Sequence, residues 1–307
     1  MNLFDSIMFA TQMSIPSHKA GFVSIVGKPN VGKSTLMNKL IGENLSIITA
    51  KAQTTRHRIM GILNSDKFQI VYSDTPGLLE PKYELQKAMM NYVKVSLEDA
   101  DVVLFVVDWG EFYKEDHKSV IEKINAPIIV IINKSDLAKT TEEKKEKLAY
   151  WKNIFPNSEC LTVSATQGTN INAVLPAIVQ LLPEHPGYFP KEELTTRSER
   201  FFASEIIREK IFLKYDQEIP YSCEVGIDSF RDEEKIIRIR AIIFVERDSQ
   251  KGILIGKGGA SLKWVGTEAR KDLETFFGKK IFLETHVKVS ENWRREKNKL
   301  KLFGYTE

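Results

Sequence analysis

Gly27-Lys28-Pro29-Asn30-Val31-Gly32-Lys33-Ser34-Thr35 fixes the architecture of the first half of this chain. Two glycines enclose four residues, and Lys and Ser follow at once, so every fixed position of G-x-x-x-x-G-K-[ST] is filled. The apolar run Phe22–Val26 leads into it and a helical pattern, Lys33–Ile41, leads out. In that setting the glycines let the backbone curl, so that several N–H groups converge on phosphate oxygens at the positive end of a helix. Lys33 is expected to neutralise the β- and γ-phosphates and Ser34 to ligate Mg²⁺, with Gly27, Asn30, Val31, Gly32 and Thr35 completing the loop. The alternative is a structural glycine turn, and the flanking strand and helix count against it.

On either side, short Val- and Ile-rich runs alternate with helical patterns through the first 180 or so residues. Phe68–Ser73, Asp101–Val107, Pro127–Ile132 and Cys160–Ser164 read as strands buried on both faces. Glu84–Asp99, Glu115–Lys123, Glu142–Phe155 and Ile171–Leu182 read as the helices between them. Repeated strand–helix units imply right-handed crossovers, hence a doubly wound α/β domain, mostly parallel, with helices on both faces. Arg58–Asn64 reaches Phe68 through a short turn and is expected to be an antiparallel edge strand.

Three further tetrapeptides fall at strand ends, where open α/β sheets bind ligands. Asp74-Thr75-Pro76-Gly77 supplies a carboxylate for Mg²⁺ and, at Gly77, an N–H for a γ-phosphate. Asn133-Lys134-Ser135-Asp136 supplies two carboxylate oxygens matched to guanine's N1–H and exocyclic amine, with the Lys134 stem along the base. Adenine lacks that donor pair and would leave a buried carboxylate unpaired. Ser164-Ala165-Thr166 places the Ala165 N–H where it is expected to meet guanine O6. The ligand is therefore GTP or GDP.

In this order the motifs resemble the translation-factor-related GTPases, over residues 20–182. The resemblance implies that Lys51–Arg58 is the first switch, with Thr55, or its neighbour Thr54, completing the Mg²⁺ shell when GTP is bound. Many Ras-like GTPases place Gln after the glycine of the corresponding motif; here, after Asp74–Gly77, Leu78 stands there and cannot orient water. Branch members with an apolar residue at that point often carry Asn in the phosphate loop, as at Asn30, and the resemblance implies that it helps to bind a K⁺ ion. Lys33, Asn30 and Thr55 are thus the expected catalytic residues of GTP hydrolysis.

Pro183, Pro186 and Pro190 with Gly187 exclude a helix or central strand, so residues 183–198 read as a linker. From 199 to 307 the pattern changes to a helix (Glu199–Lys214), strands Tyr221–Phe230 and Lys235–Val245, a helix–glycine turn–helix, a strand (Lys280–Val289) and a basic helix (Glu291–Leu302). Gly256-Lys257-Gly258-Gly259 inside that order resembles the turn of a type II KH domain, an α+β fold in which a bare turn lets a nucleic-acid backbone approach. Ile253, Ile255, Gly256, Lys257, Gly258, Gly259 and Lys263 are the expected RNA-binding residues, while Leu254 is expected in the core. Trp293–Lys301 either extends the basic surface or is an ordinary exposed helix face.

Composition sets the outer limits. The 307 residues suit about two domains, and 42% apolar content allows real cores. No apolar run of membrane-spanning length occurs. The N-terminal residues 1–21 read as an extension without the basic start and apolar stretch of an export signal. Two distant cysteines suggest a reducing compartment, and five histidines show no metal spacing. Net charge is only +3, but Lys251–Lys301 holds thirteen Lys/Arg against six Asp/Glu, a balance of +7 that suits a polyanion.

A GTPase domain followed by one KH domain resembles the Era-type family of bacterial GTPases over nearly the whole chain. That resemblance implies a monomeric cytoplasmic switch that binds the 3′ end of small-subunit ribosomal RNA, assists assembly of the small ribosomal subunit, associates peripherally with the inner membrane and has no DNA partner. The rival classes are an RNA scaffold that binds nucleotide with little turnover and a GTP-dependent RNA-modifying factor.

Overall fold

The computed structural model describes residues 18–122 and 124–305. Most of the N-terminal extension and the last residue of the helix expected over Glu115–Lys123 fall outside them. Strands β1 (Lys19–Val26), β2 (Ile59–Asn64), β3 (Phe68–Asp74), β4 (Val102–Asp108), β5 (Ile128–Asn133) and β6 (Glu159–Thr162) form one sheet in the order β2-β3-β1-β4-β5-β6. Only β2 runs antiparallel, paired to β3, because the connection between them is a turn too short for a crossover. The parallel strands are buried almost throughout; every residue from Val102 to Val107 is fully shielded.

Helices α1 (Lys33–Ile41) and α5 (Val174–Leu181) cover one face, where Leu36, Met37, Val174 and Ile178 pack on Val23, Ile25, Leu104 and Ile131. Helices α2 (Glu84–Glu98), α3 (Glu115–Ile121) and α4 (Thr141–Ile154) cover the other, with Val93, Trp151 and Phe155 on Phe105, Val107 and Ile132. Each large side chain so buried contributes about 1.5–3 kcal/mol. Helix α4 starts where the sequence supplies a cap: the Glu143 N–H donates to Thr140 Oγ1 at 3.1 Å. Helix α1 has no side-chain cap, so its first N–H groups stay free for a ligand.

The second unit has a three-stranded sheet, β7 (Glu224–Asp232), β8 (Ile236–Val245) and β9 (Lys280–Val289), in which β7/β8 is antiparallel and β8/β9 parallel. Helices α6 (Glu199–Lys214), α8 (Asp248–Ile255) and α9 (Ala260–Phe277) cover one face, over Ile237, Ile239, Ala241, Ile243 and Val245. The strand expected from Tyr221 starts at Glu224 instead: Ile219–Ser222 is one helical turn, α7, with proline in its first turn. The basic helix expected over Glu291–Leu302 is broken. Asn292 takes a left-handed φ of 53°, a 3₁₀ turn spans Trp293–Arg295, and α10 runs only Lys297–Leu302.

Residues 183–198 are non-helical but not loose. Gln69 binds their backbone through the Tyr188 and Phe189 N–H groups and the Phe189 carbonyl, Ile62 N–H donates to Leu194 O, and Arg197 Nη2 donates to Arg58 O. The segment is laid along the β2 side of the sheet and delivers α6 against the loop that precedes β2.

Candidate functional site

The four motifs meet at the C-terminal ends of the parallel strands, around a cavity of about 260 Å³ lined by residues that include Asn30, Gly32, Lys33, Ser34, Thr55 and Gly77. Close approach explains the glycines. A Cβ on Gly77 would lie 2.7 Å from the Pro29 backbone, and one on Gly32 would lie 2.2 Å from Asn133 Nδ2. Lys33 Nζ donates to Gly27 O and Lys28 O at 3.0 and 2.9 Å. Burial holds its ammonium down to about 8, against the pull of Asp74 and Glu111, and a polyphosphate bound beside it would favour the charged form.

The three side chains expected to hold magnesium lie together. Ser34 Oγ donates to Asp74 Oδ2 at 2.6 Å and lies 2.9 Å from Thr55 Oγ1. Burial pushes the Asp74 carboxyl up, opposed by the Ser34 hydrogen bond and the Lys33 charge. Asp74 Oδ1 is buried with no hydrogen-bond partner. One orphaned carboxylate oxygen beside two hydroxyls is a hard-oxygen set that fits Mg²⁺, which keeps waters and phosphates as its other ligands. The structure also separates Thr55 from Thr54: the Thr54 hydroxyl donates to Lys51 O at 2.7 Å and pairs with Thr49, away from Ser34.

At the base end, Asn133 ties three loops together. Its Nδ2 donates to Val31 O at 2.8 Å and its Oδ1 accepts from Ala165 N–H at 2.9 Å. The Ala165 N–H expected at the base is thus held by Asn133 at the mouth of the base loop, and its neighbour Thr166 lines the cavity. Asp136 is held by Ser164, whose Oγ donates to Oδ1 at 2.5 Å, and Lys134 pairs with Asp108. Asn30 Nδ2 donates to Ala50 O at 2.9 Å, which ties the phosphate loop to the switch loop. Leu78 N–H donates to Gly27 O and its side chain packs into the core with Val93 and Phe105, so nothing at this position reaches a nucleophilic water.

Nothing in the sequence hints at what lies behind Thr55. Arg56, fully buried, donates to Cys223 O at 2.7 Å, Pro220 O at 2.8 Å and Glu224 Oε2 at 3.1 Å, all in the second unit. His57 stacks on Tyr305, ring centroids 4.3 Å apart. Arg208 of α6 donates to Thr54 O at 2.6 Å. On the flank, Leu85, Met89 and Tyr92 of α2 pack with Trp293, Leu300 and Tyr305. Trp293 is thus a brace between α2 and the second unit rather than part of a basic surface; its Nε1 donates to Ser222 O at 2.9 Å. Conventional sequence cues find none of these, since charged and aromatic residues in a loop read as solvated.

The glycine turn takes the expected shape. Gly256, Gly258 and Gly259 have φ of 71°, 59° and 78°, and a Cβ on either of the last two would meet open space, so a backbone can lie against the turn. Ile253, Lys257 and Lys263 line this side of the unit, Ile255 is half-buried and Leu254 is core. Between α9 and β9 runs a groove lined by Lys263, Gly266, Arg270, Ile281 and Thr285. Arg270 belongs to no motif and carries no signal in the sequence. No group of three or more His, Cys, Asp or Glu among the described residues could hold a metal, and no helix among them is long and apolar enough to cross a membrane.

Comparison with known proteins agrees with this geometry. Residues 22–134 match the family described as 50S ribosome-binding GTPase, and residues 218–294 match the KH domain family. The chain is 44% identical to GTPase Era of Syntrophus aciditrophicus over 294 residues, 94% of this chain and 96% of that one. It is 44% identical to GTPase Era of Nitrosomonas eutropha over 296 residues, 95% of this chain and 100% of the other. Among solved structures, Era in complex with MgGDPNP and nucleotides 1506-1542 of 16S ribosomal RNA matches with a TM-score of 0.91 at 38% identity, covering 94% of this chain and 100% of that one. A point variant of Aquifex aeolicus Era bound to GDP.AlF4- also matches with a TM-score of 0.91, at 39% identity and with the same coverage.

Proposed function

The chain belongs to the Era family of GTPases, and we propose accordingly that it is a switch whose nucleotide state governs its hold on the 3′ region of small-subunit ribosomal RNA. The carrying observation is the junction at Thr54–His57, where the loop that supplies a magnesium donor is also the loop that the RNA-binding unit grips. A solved relative of the same fold holds a magnesium-bound GTP analogue and a 16S rRNA fragment together.

In the proposed cycle, the phosphate-loop N–H groups and Lys33 hold the β- and γ-phosphates, and Asp136, braced by Ser164, reads the guanine edge. Ser34, Thr55 and Asp74 hold Mg²⁺, which when bound neutralises charge on the phosphate oxygens. With Leu78 in the core, water is positioned by backbone rather than by a glutamine side chain, so unassisted turnover is slow. Asn30 helps to bind a K⁺ ion that adds positive charge beside the phosphates. RNA enters along Ile253, Ile255, the glycine turn and Lys263, a stretch with the positive balance that phosphate contacts require. Small-subunit assembly, a cytoplasmic monomer and peripheral contact with a membrane surface are the finer parts of this reading.

The test is binding of a 16S rRNA 3′-end oligonucleotide to the protein loaded with a non-hydrolysable GTP analogue or with GDP. The reading expects tighter binding with the analogue; equal affinity would overturn it. Phosphate release with and without that RNA distinguishes the switch from a scaffold without turnover.

A further inference from the structure

Three neighbouring residues of the switch loop face three different ways. Thr55 turns its hydroxyl to Ser34, at the magnesium site. Thr54 turns its carbonyl to Arg208, which is itself locked by Glu205 on the same helix at 2.7 and 2.5 Å. Arg56 turns its side chain into the second unit, where three acceptors from α7 and the start of β7 surround it and Glu224 is fixed in turn by the Tyr305 hydroxyl at 2.5 Å. Phe212 and Trp293 flank it, with the Arg56 guanidinium carbon 5.7 and 5.9 Å from their ring centres. Thr55 is therefore held by its two neighbours, and both neighbours are held by the RNA-binding unit.

We propose that Arg56 and Arg208 are positioning residues for Thr55, so that the docked RNA-binding unit sets how well the protein tells GTP from GDP. This rests on the reading of Thr55 as a magnesium ligand and of RNA binding as nucleotide-dependent. The chemistry follows from geometry. A GDP complex asks little of Thr55, because the γ-phosphate that draws the switch loop inward is missing. A GTP complex needs the Thr55 hydroxyl at the metal. Pre-ordering the loop removes part of that ordering cost from GTP binding alone. Linkage makes the effect mutual: GTP that pulls Thr55 inward holds Arg56 in its socket and the second unit in its docked arrangement. Guanidinium geometry matters here, since one ammonium cannot donate in the plane to Cys223 O, Pro220 O and Glu224 at once.

The experiment compares the full-length protein with Arg56→Lys and Tyr305→Phe. The second removes only the hydroxyl that fixes Glu224 and lies outside the nucleotide cavity. Three quantities are read: affinity for a fluorescent non-hydrolysable GTP analogue across a Mg²⁺ titration, affinity for the matching GDP probe, and affinity for the 16S rRNA 3′-end oligonucleotide with each nucleotide. Arg56→Lys should lose about tenfold in analogue affinity, an ordinary coupling size, keep GDP affinity within about twofold, and shift the Mg²⁺ midpoint upward. Tyr305→Phe should move the same way by about threefold. Equal losses for analogue and GDP would mean a merely structural role and overturn the proposal. So would a folded variant with the parent's Mg²⁺ midpoint and GTP-to-GDP ratio. If Arg56→Lys does not fold, Tyr305→Phe decides. A parent protein whose RNA affinity ignores the nucleotide defeats the switch reading, yet the analogue-to-GDP ratio still judges Arg56.

Discussion

Replacing Gly32 by alanine tests whether the phosphate loop and the base loop are one device. Gly32 has φ +98° and ψ 27°, and its added Cβ would sit 2.2 Å from Asn133 Nδ2. The left-handed backbone costs a non-glycine residue about 1–2 kcal/mol. To clear the methyl, Asn133 has to swing, which breaks its bonds to Val31 O and Ala165 N–H at about 1 kcal/mol each. Together these come to about 3 kcal/mol, or roughly 6–12 °C for a domain of this size. Asn133→Ala alone loses the same two bonds and strands their partners, about 2 kcal/mol. The double variant should then lose about 3 kcal/mol rather than about 5, because the first change has already displaced what the second removes. Thermal unfolding of the four proteins, with GDP titration calorimetry beside it, reads the cycle. Strict additivity, or Gly32→Ala with GDP affinity intact, would refute the claim that the methyl acts through Asn133.

Asp136→Asn should weaken GDP at least about a hundredfold, since an amide places a donor against guanine's donors, and calorimetry measures it. Lys257→Ala and Lys263→Ala should each lower the slope of log affinity for RNA against log salt by about one, as a lost phosphate contact does. GTP turnover should be faster in KCl than in NaCl, and Asn30→Ala should erase the ratio; a phosphate-release assay checks both. Cys223 is fully buried, and burial pushes its thiol up to about 11 despite the nearby Arg56. At pH 8 on the order of one molecule in a thousand then carries thiolate, so iodoacetamide should label native protein far more slowly than denatured protein.

Much of this is legible in the sequence because it is periodic or because phosphate chemistry fixes its spacing. The apolar strands, the Lys33–Ile41 helix and the four loop motifs carry local signals, and the topology rules bring their C-terminal ends together. What is not legible depends on partners distant in sequence. The motif alone places the Ala165 N–H near a base; that the same N–H is held by Asn133, more than thirty residues away, no local pattern reveals. The break at Asn292 splits a stretch of good helix formers because burying Trp293 against Ser222 outweighs propensity. Arg56 and His57 sit in a polar run that any surface loop could carry, and only the arrival of α6, α7 and Tyr305 turns them into an interface.

The chemistry of that interface suits the proposed switch, in which the two units would separate. Arg56 and Arg208 are like charges buried near one another, which raises the energy of the closed form. Each has its own carboxylate, and Arg56 Nε and Arg208 Nη1 find no partner. On separation, Arg208 keeps Glu205, its neighbour one turn away on the same helix, and Glu224 keeps the Tyr305 hydroxyl. Arg56 leaves with the switch loop into water, where a guanidinium is well solvated. No ion is stranded without a partner or solvent, so the large penalty for a broken buried pair does not apply in full. A core of leucines in the same place would hold the two units together whatever the nucleotide. On the proposed reading, a polar junction of matched charges would let the few kilocalories that distinguish GTP from GDP decide whether the units stay docked.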